Sequence, residues 1–262
     1  MGHIDNHAAG SFCWIDLATS DQPAAKAFYG QLFGWGVEDM PMGPDFYYST
    51  FKLDGRDVAA GYALHEAQKA QGVPPHWKIY IATADADQAA KRAAELGGSV
   101  LVPAFDVFDA GRMAVLKDPT GALFSVWQPR RNKGLGINNV EGALCWADLS
   151  TPDPDRAKTF YSDLFGWKLV VSEHDTDGYL HITNNGEMIG GIPPTAYRKP
   201  NVPPHWLPYF QTAHCEATAA KARHLGATFR MAPTFMDRVG TIAVIADPQG
   251  ATFALFQQAP RG

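Results

Sequence analysis

Gly10 to Trp35 reads GSFCWIDLATSDQPAAKAFYGQLFGW, and Gly142 to Trp167 reads GALCWADLSTPDPDRAKTFYSDLFGW. Fifteen of these twenty-six positions are identical at an offset of 132. Further along, Pro74-Pro75-His76-Trp77 returns as Pro203-Pro204-His205-Trp206, and Asp118-Pro119-x-Gly121 as Asp247-Pro248-x-Gly250, at an offset of 129. Two copies of one folding unit account for this self-similarity. The repeat also ranks polar residues, because one kept in both copies is a stronger site candidate than one found once.

Within the first copy, Phe12 to Ala18 is short and rich in aromatic and branched residues, as a strand is. Asp21 stands where a helix N-cap is expected, with Pro23 in the first turn. Ala25, Phe28, Tyr29 and Leu32 recur at helical spacing and Gly34 supplies a C-terminal stop. Phe46 to Leu53 and Val58 to Leu64 read as a hairpin about Asp54-Gly55, and the first 65 residues have room for one more strand among them. The pattern then restarts. Trp77 to Ala82 is a strand, Asp85 a cap and Gln88 to Leu96 a helix stopped by Gly97-Gly98. Strands follow at Ser99 to Pro103, Arg112 to Lys117 and Ala122 to Trp127. Each half is thus a pair of βαβββ modules, and the chain holds four, an α+β fold. The expected domains are residues 8–128 and 140–259. Residues 129–139 (PRRNKGLGINN) form a basic, aperiodic linker between them.

A length of 262 residues suits two domains of about 130. With 46% hydrophobic and 19% charged residues, the composition is that of a globular protein. A net charge of −5 with scattered Lys and Arg argues against a nucleic-acid partner. Apolar runs fall short of the ~18 to 20 residues that span a bilayer, so no membrane partner is expected. MGHIDNHAAG lacks the basic start and apolar stretch of a signal peptide, and His3 and His7 read as a flexible tail. The three cysteines cannot all pair. Cys13 and Cys145 are repeat equivalents inside strands and read as free thiols of a reducing compartment, the cytoplasm. A monomer or homodimer is expected.

Strand alternation sorts side chains between faces. Cys13, Ile15 and Leu17 are uniformly apolar and belong under the helix, which puts Phe12, Trp14 and Asp16 on the opposite face; Leu144, Trp146 and Asp148 are the second set. By the same rule His76, Lys78 and Tyr80 share that face, with His205, Leu207 and Tyr209 as equivalents, and Ser125 and Trp127 with Ala254 and Phe256. A carboxylate within an apolar strand is costly unless paired or solvated, so Asp16 and Asp148 mark a polar spot in a concave, aromatic surface.

Four βαβββ modules, helices of the D-x6-FY type and closing DP-x-G strands resemble the vicinal oxygen chelate superfamily: glyoxalase I, bleomycin-resistance proteins and extradiol dioxygenases. The resemblance covers nearly the whole chain and is nearest to tandem two-domain glyoxalase-like proteins. It implies two curled-sheet domains with outer helices around clefts. It also implies a set of metal-ligand positions. The first-strand ligand, seven residues before the helix-start Asp, falls on Trp14 and Trp146; the next falls on Lys78 and Leu207; the last-strand Glu falls on Ser125 and Ala254. None is a customary metal ligand. No metal and no other cofactor is therefore expected.

Candidate catalytic residues are Asp16 with His76 and Asp148 with His205. The first strands of paired modules are neighbours in this superfamily, so each carboxylate is expected within hydrogen-bond or one-water reach of its imidazole, which suits acid–base work. The alternative is structural: a buried Asp tied to backbone or a neighbouring strand, and a rim His following Pro-Pro. Trp14, Lys78, Tyr80, Trp127, Trp146 and Tyr209 are candidate ligand-binding residues, the tryptophans as walls that stack a planar or apolar molecule. Lys78 has no counterpart, so it meets an anionic group in the first cleft alone or sits solvated at a rim. Cys13 and Cys145 face the helices and are rejected as nucleophiles. No phosphate-binding loop, CxxC pair or HExxH helix is present. Two functions remain open. One is a metal-free binder of a small molecule, as in the bleomycin-resistance branch. The other is an enzyme on a small organic substrate, a glyoxalase-like lyase, an isomerase, a hydrolase or a dioxygenase type, with or without a divalent metal.

Overall fold

A computed structural model describes residues 3–44, 46–171 and 178–259. The first half runs β1 (Phe12–Thr19), α1 (Gln22–Phe33), β2 (Gly36–Gly43), β3 (Phe46–Leu53), β4 (Arg56–Ala63), α2 (Glu66–Ala70), β5 (His76–Ala82), α3 (Ala86–Glu95), β6 (Ser99–Val107), β7 (Gly111–Lys117) and β8 (Leu123–Pro129). The second runs β9 (Leu144–Ser150), α4 (Pro154–Phe165), β10 (Lys168–Val171), β11 (Leu180–Asn184), β12 (Glu187–Ile192), β13 (His205–Gln211), α5 (Cys215–His224), β14 (Thr228–Met236), β15 (Gly240–Ala246) and β16 (Thr252–Gln258). These elements form two curled eight-stranded mixed sheets, ordered β2-β3-β4-β1-β5-β8-β7-β6 and β10-β11-β12-β9-β13-β16-β15-β14. The chain is therefore α+β, with two domains of glyoxalase-like architecture.

Local chemistry sets the helix ends. The Asp21 carboxylate accepts the Ala24 N–H at 3.0 Å, and Gly34 closes α1 in the left-handed region at φ 74°. In α4 the Asp153 carboxylate accepts the Arg156 N–H at 3.0 Å and Gly166 closes at φ 72°. These caps answer backbone groups that a helix end leaves unpaired. The extra strand is β2. β6 outruns its expected end at Pro103 because its register with β7 shifts between Val102 and Phe105, sparing a proline on an edge strand from the ladder. The short α2 was not legible.

At the centre of each sheet, β1 lies antiparallel to β5 and β9 antiparallel to β13. The helices lie on the convex faces, but those faces meet, so α1 and α4 are not outer helices as expected. Phe28 and Tyr29 of α1 pack on Phe253 of β16, and Trp77 of β5 packs edge-on to Phe210 of β13, centroids 5.5 Å apart. One continuous apolar core results. The sequence repeat thus builds two sheets but one shared interior.

The N-terminal tail is also docked. His3 bridges Ile137, and the His7 ring donates from Nε2 to the Leu135 carbonyl at 3.0 Å. The linker in turn lies along the first sheet, with the Leu135 N–H on Cys13 O and the Gly136 N–H on Asp57 O, both 2.8 Å. Among the described residues, no helix is long and apolar enough to cross a membrane.

Candidate functional site

The first cleft is built by β1, β3, β4 and β5. Opposite β5, the β1 register skips between Phe12, which faces Ile81, and Trp14, which faces Tyr80. The bulge absorbs Cys13 and turns Phe12 to the convex side, where its ring meets Trp167 and Trp206 at 5.5 and 5.3 Å. This corrects the simple alternation, which put Phe12 in the cleft. The skip recurs in the second half, where Leu144 faces Phe210 and Trp146 faces Tyr209.

Past the bulge, Trp14 and Asp16 remain concave. Asp16 stands opposite Lys78, and Tyr80 beside Ser125. The Asp16 carboxylate is 1% exposed. Its Oδ2 accepts the Tyr80 hydroxyl at 2.6 Å and, more loosely, the Tyr48 hydroxyl at 3.5 Å. Its Oδ1 has the Lys78 ammonium at 3.4 Å, an ion pair without hydrogen-bond geometry. Lys78 Nζ also donates to the Tyr62 hydroxyl at 3.3 Å and sits over the Tyr62 and Tyr80 rings, 5.3 and 5.2 Å from their centroids. Trp14 Nε1 donates to the Tyr48 hydroxyl at 2.8 Å.

Electrostatics follow from burial and one ion pair. Burial works against the Lys78 charge, but the Asp16 carboxylate and the Tyr62 hydroxyl outweigh it and hold the ammonium above its ordinary pKa. Burial, then the Asp16 charge, lifts Tyr48, Tyr62 and Tyr80. All three hydroxyls therefore stay protonated and act as neutral dipoles.

The second cleft repeats this with one change. Asp148 stands opposite Leu207, where Asp16 has Lys78. The Asp148 carboxylate accepts from Tyr209 at 2.6 Å, Tyr179 at 2.5 Å and Trp146 Nε1 at 3.0 Å. Burial pushes it above the ordinary carboxylate range, opposed by hydrogen bonds from Tyr179, Tyr209 and Trp146 and by the charge of His181. The His181 ring lies 4.9 Å from Tyr179 and 6.2 Å from Trp146. Trp146, Tyr179, His181, Leu207 and Phe256 are all only half-buried, whereas Trp14, Tyr80 and Trp127 are buried.

Tyr179 comes closer to Asp148 than Tyr48 does to Asp16, and the neighbouring strand explains why. Asp16 is flanked in register by Ala60, Asp148 by Gly191. A Cβ on Gly191 would stand 1.9 Å from the Tyr179 hydroxyl oxygen. Glycine lets the phenol settle against the backbone and close on the carboxylate.

No direct hydrogen bond joins Asp16 to His76 or Asp148 to His205. His76 Nδ1 donates to the Pro74 carbonyl at 2.8 Å, and His205 Nδ1 to Pro203 at 2.9 Å. Each imidazole is folded back on its own Pro-Pro turn, which an i to i−2 bond satisfies locally, while tyrosines occupy the carboxylates. Burial lowers the His205 pKa. Trp127 is buried with Nε1 donating to the linker carbonyl of Asn132 at 3.0 Å. Sequence reasoning missed Tyr48, Tyr62, Tyr179 and His181; the signal was an aromatic residue on the third strand region of both halves, Tyr48 and Tyr179.

The ligand positions implied by the superfamily carry an indole, an ammonium and a hydroxyl in one half, and an indole and two aliphatic side chains in the other. Among the described residues no group of three or more His, Cys, Asp or Glu is placed to hold a metal ion. The donor chemistry does not fit a transition metal there.

The Glyoxalase/Bleomycin resistance protein/Dioxygenase superfamily profile matches residues 6–126 and 143–255. "Putative glyoxylase CFP32" of Mycobacterium tuberculosis (strain CDC 1551 / Oshkosh) is 40% identical over 265 residues, covering 100% of both chains. The "Anthracycline biosynthesis protein DauV" of Streptomyces sp. (strain C5) is 34% identical, covering 95% of this chain and 94% of its own. Among solved structures, the 2,3-dioxygenase LapB from Pseudomonas sp. KL28 superposes with a TM-score of 0.65 at 16% identity, covering 97% of this chain and 94% of that one. The Mn(II)-bound glyoxalase from Novosphingobium aromaticivorans gives 0.64 at 17%, covering 98% and 83%. At such identities the structural likeness concerns the fold.

Proposed function

The chain belongs to the Glyoxalase/Bleomycin resistance protein/Dioxygenase superfamily, and on that premise we propose that it binds a small organic molecule in a curled-sheet cleft without the superfamily's metal. The observation that carries this reading is the pair of buried carboxylates, Asp16 and Asp148, each held by tyrosine hydroxyls within an aromatic wall, at positions flanked by non-ligating residues in both halves. Aromatic faces desolvate and stack an apolar body, and a fixed carboxylate orients its polar group. The names of the relatives, one a glyoxylase and one an anthracycline biosynthesis protein, both suit a small organic ligand.

One observation favours an enzyme of the lyase or isomerase type as a second reading. Asp148, with its pKa raised by burial, stands beside two protonated phenols in the more open cleft, an arrangement able to shuttle a proton.

Elemental analysis of purified protein tests the metal-free reading, and stoichiometric Zn, Ni, Mn or Fe would defeat it. A thermal-shift screen of small organic compounds tests binding, since a ligand of the folded state alone raises the melting temperature. Multiple turnovers of a hit, abolished in Asp148→Asn, would establish the enzyme.

A further inference from the structure

The two halves of this chain act as controls for each other, and they differ at the residue opposite the carboxylate, Lys78 in one and Leu207 in the other. In the first cleft the Asp16 carboxylate has a cation of the chain itself. The Lys78 ammonium lies 3.4 Å from Oδ1 and over two tyrosine rings, each centroid within about the ~6 Å reach of a cation–π contact. In the second cleft the register is the same, with Asp148 opposite position 207 and Trp146 opposite Tyr209. The carboxylate is kept, its phenol donor is kept, and Tyr179 closes more tightly than its counterpart. The cation is not kept. Leu207 replaces Lys78, and no Lys or Arg among the described residues lies within ion-pair reach of Asp148.

A leucine side chain ends about two bonds short of a lysine nitrogen, so the place in front of the carboxylate is not filled by residue 207. A buried carboxylate without a neutralising charge is costly. Its three hydrogen bonds and the nearby His181 relieve part of that cost, and no lysine or arginine completes the compensation as Lys78 does for Asp16. The walls of the site, Trp146, Tyr179 and Tyr209, are aromatic surfaces of the kind that favours an ammonium group; Tyr209 is buried like Tyr80 and Tyr179 half-buried like Tyr48, but Trp146 is half-buried where Trp14 is buried. Tyr62 has no aromatic equivalent, since counting two residues on from Ala60 and Gly191 reaches Pro193. The π face that Tyr62 gives to Lys78 is therefore not supplied by the equivalent position of the second cleft.

We propose that the second cleft is the ligand site and that it takes an organic ammonium, whose charged head occupies before Asp148 the place that Lys78 occupies before Asp16. The first cleft is then the same site filled by its own tethered cation. This inference rests on the small-molecule-binding reading and narrows it to one cleft and one charge class.

The probes are benzylammonium, benzyl alcohol and benzoate, which share a ring and differ in charge, titrated calorimetrically into the full chain at neutral pH. Benzylammonium is expected to bind at one site per chain, with benzyl alcohol about tenfold or more weaker and benzoate not bound. Leu207→Lys should abolish binding by placing a tethered ammonium in the cage, with the melting temperature kept or raised, so that misfolding is recognised separately. Asp148→Asn should weaken binding about tenfold or more. Lys78→Leu should create a second equivalent of binding in the first cleft. Equal binding of benzyl alcohol or benzoate, or benzylammonium binding that survives Leu207→Lys in a folded protein, overturns the assignment and leaves small-molecule binding standing. If none of the three probes binds, the assignment also falls, and a hit of another charge class in the broader thermal-shift screen then shows that the general reading survives without it.

Discussion

Tyr29, on the first helix, donates its hydroxyl hydrogen to Asp247 Oδ2 at 2.9 Å, across 218 residues of chain. The reciprocal bond runs from Tyr161 to Asp118 at 3.0 Å. Each phenol also accepts an indole N–H from its own half, Trp77 at 3.1 Å and Trp206 at 3.1 Å. The other oxygen of each carboxylate holds the backbone amides of its turn, residues 120 to 122 and 249 to 251. The repeated FY and DP-x-G motifs are therefore joined crosswise, the helix of one half to the closing turn of the other.

Tyr29→Phe removes a buried donor and leaves Asp247 Oδ2 and the Trp77 N–H without their partner. Urea denaturation should show a loss of about 1–3 kcal/mol, and the same for Tyr161→Phe. The two networks share no residue, so the double variant should lose about the sum. A Tyr29→Phe protein as stable as wild type would show that the bond contributes nothing net.

Asp148 should give a stability that falls with rising pH. Its folded pKa is raised by burial above the ordinary 3.8, so the folded state binds the proton more tightly than the unfolded state. In that window the unfolded chain carries fewer protons, and stability decreases as pH rises through the folded pKa. Wild type should gain on Asp148→Asn as pH drops from neutral towards 4, measured by paired denaturant titrations. A constant difference between the two proteins would sink the assignment.

Gly191→Ala puts a methyl group where the Tyr179 hydroxyl sits, and the phenol must swing away from Asp148. We expect a loss of about 1–3 kcal/mol, most of it the lost hydrogen bond to a charged group. In a Tyr179→Ala background the same change should cost little. A double-mutant cycle with no coupling between the two positions would contradict the contact.

The thiols should be silent. Burial pushes Cys145 up to about 12 and Cys215 to about 11, and Cys13 higher still. The thiolate is the reactive form, so an aromatic disulfide reagent at neutral pH should label all three only as the protein unfolds. Fast labelling of any one in native buffer would refute this.

The His76 ring is expected to matter for its turn and not for the carboxylate. His76→Ala should lower the melting temperature slightly through the lost bond to Pro74 O. The matching variant of the second half, His205→Ala, should lose the bond to Pro203 O and leave ligand binding by the second cleft unchanged. A binding defect would mean that the imidazole reaches the site after all.

The repeat, the caps at Asp21 and Asp85 and the alternation of Asp16 and Asp148 onto the concave faces were all legible in the sequence. Each depends on residues within a few positions, or on comparing one half with the other. The residue types at the ligand positions that the resemblance implies were legible as well, since residue types need no coordinates. What only the tertiary structure decided lies in contacts between distant segments. A bulge at Cys13 reversed Phe12, and alternation cannot see an unpaired residue. The carboxylates took tyrosines in place of histidines, because Tyr80 and Tyr209 sit one strand away while His76 and His205 satisfy themselves on their own prolines. The two sheets packed their helix faces together, since neither half alone covers the apolar surface of Trp77, Phe210 and Phe253. Sequence periodicity reports which face a side chain leaves; which partner waits there is set by segments 32 to 218 residues away.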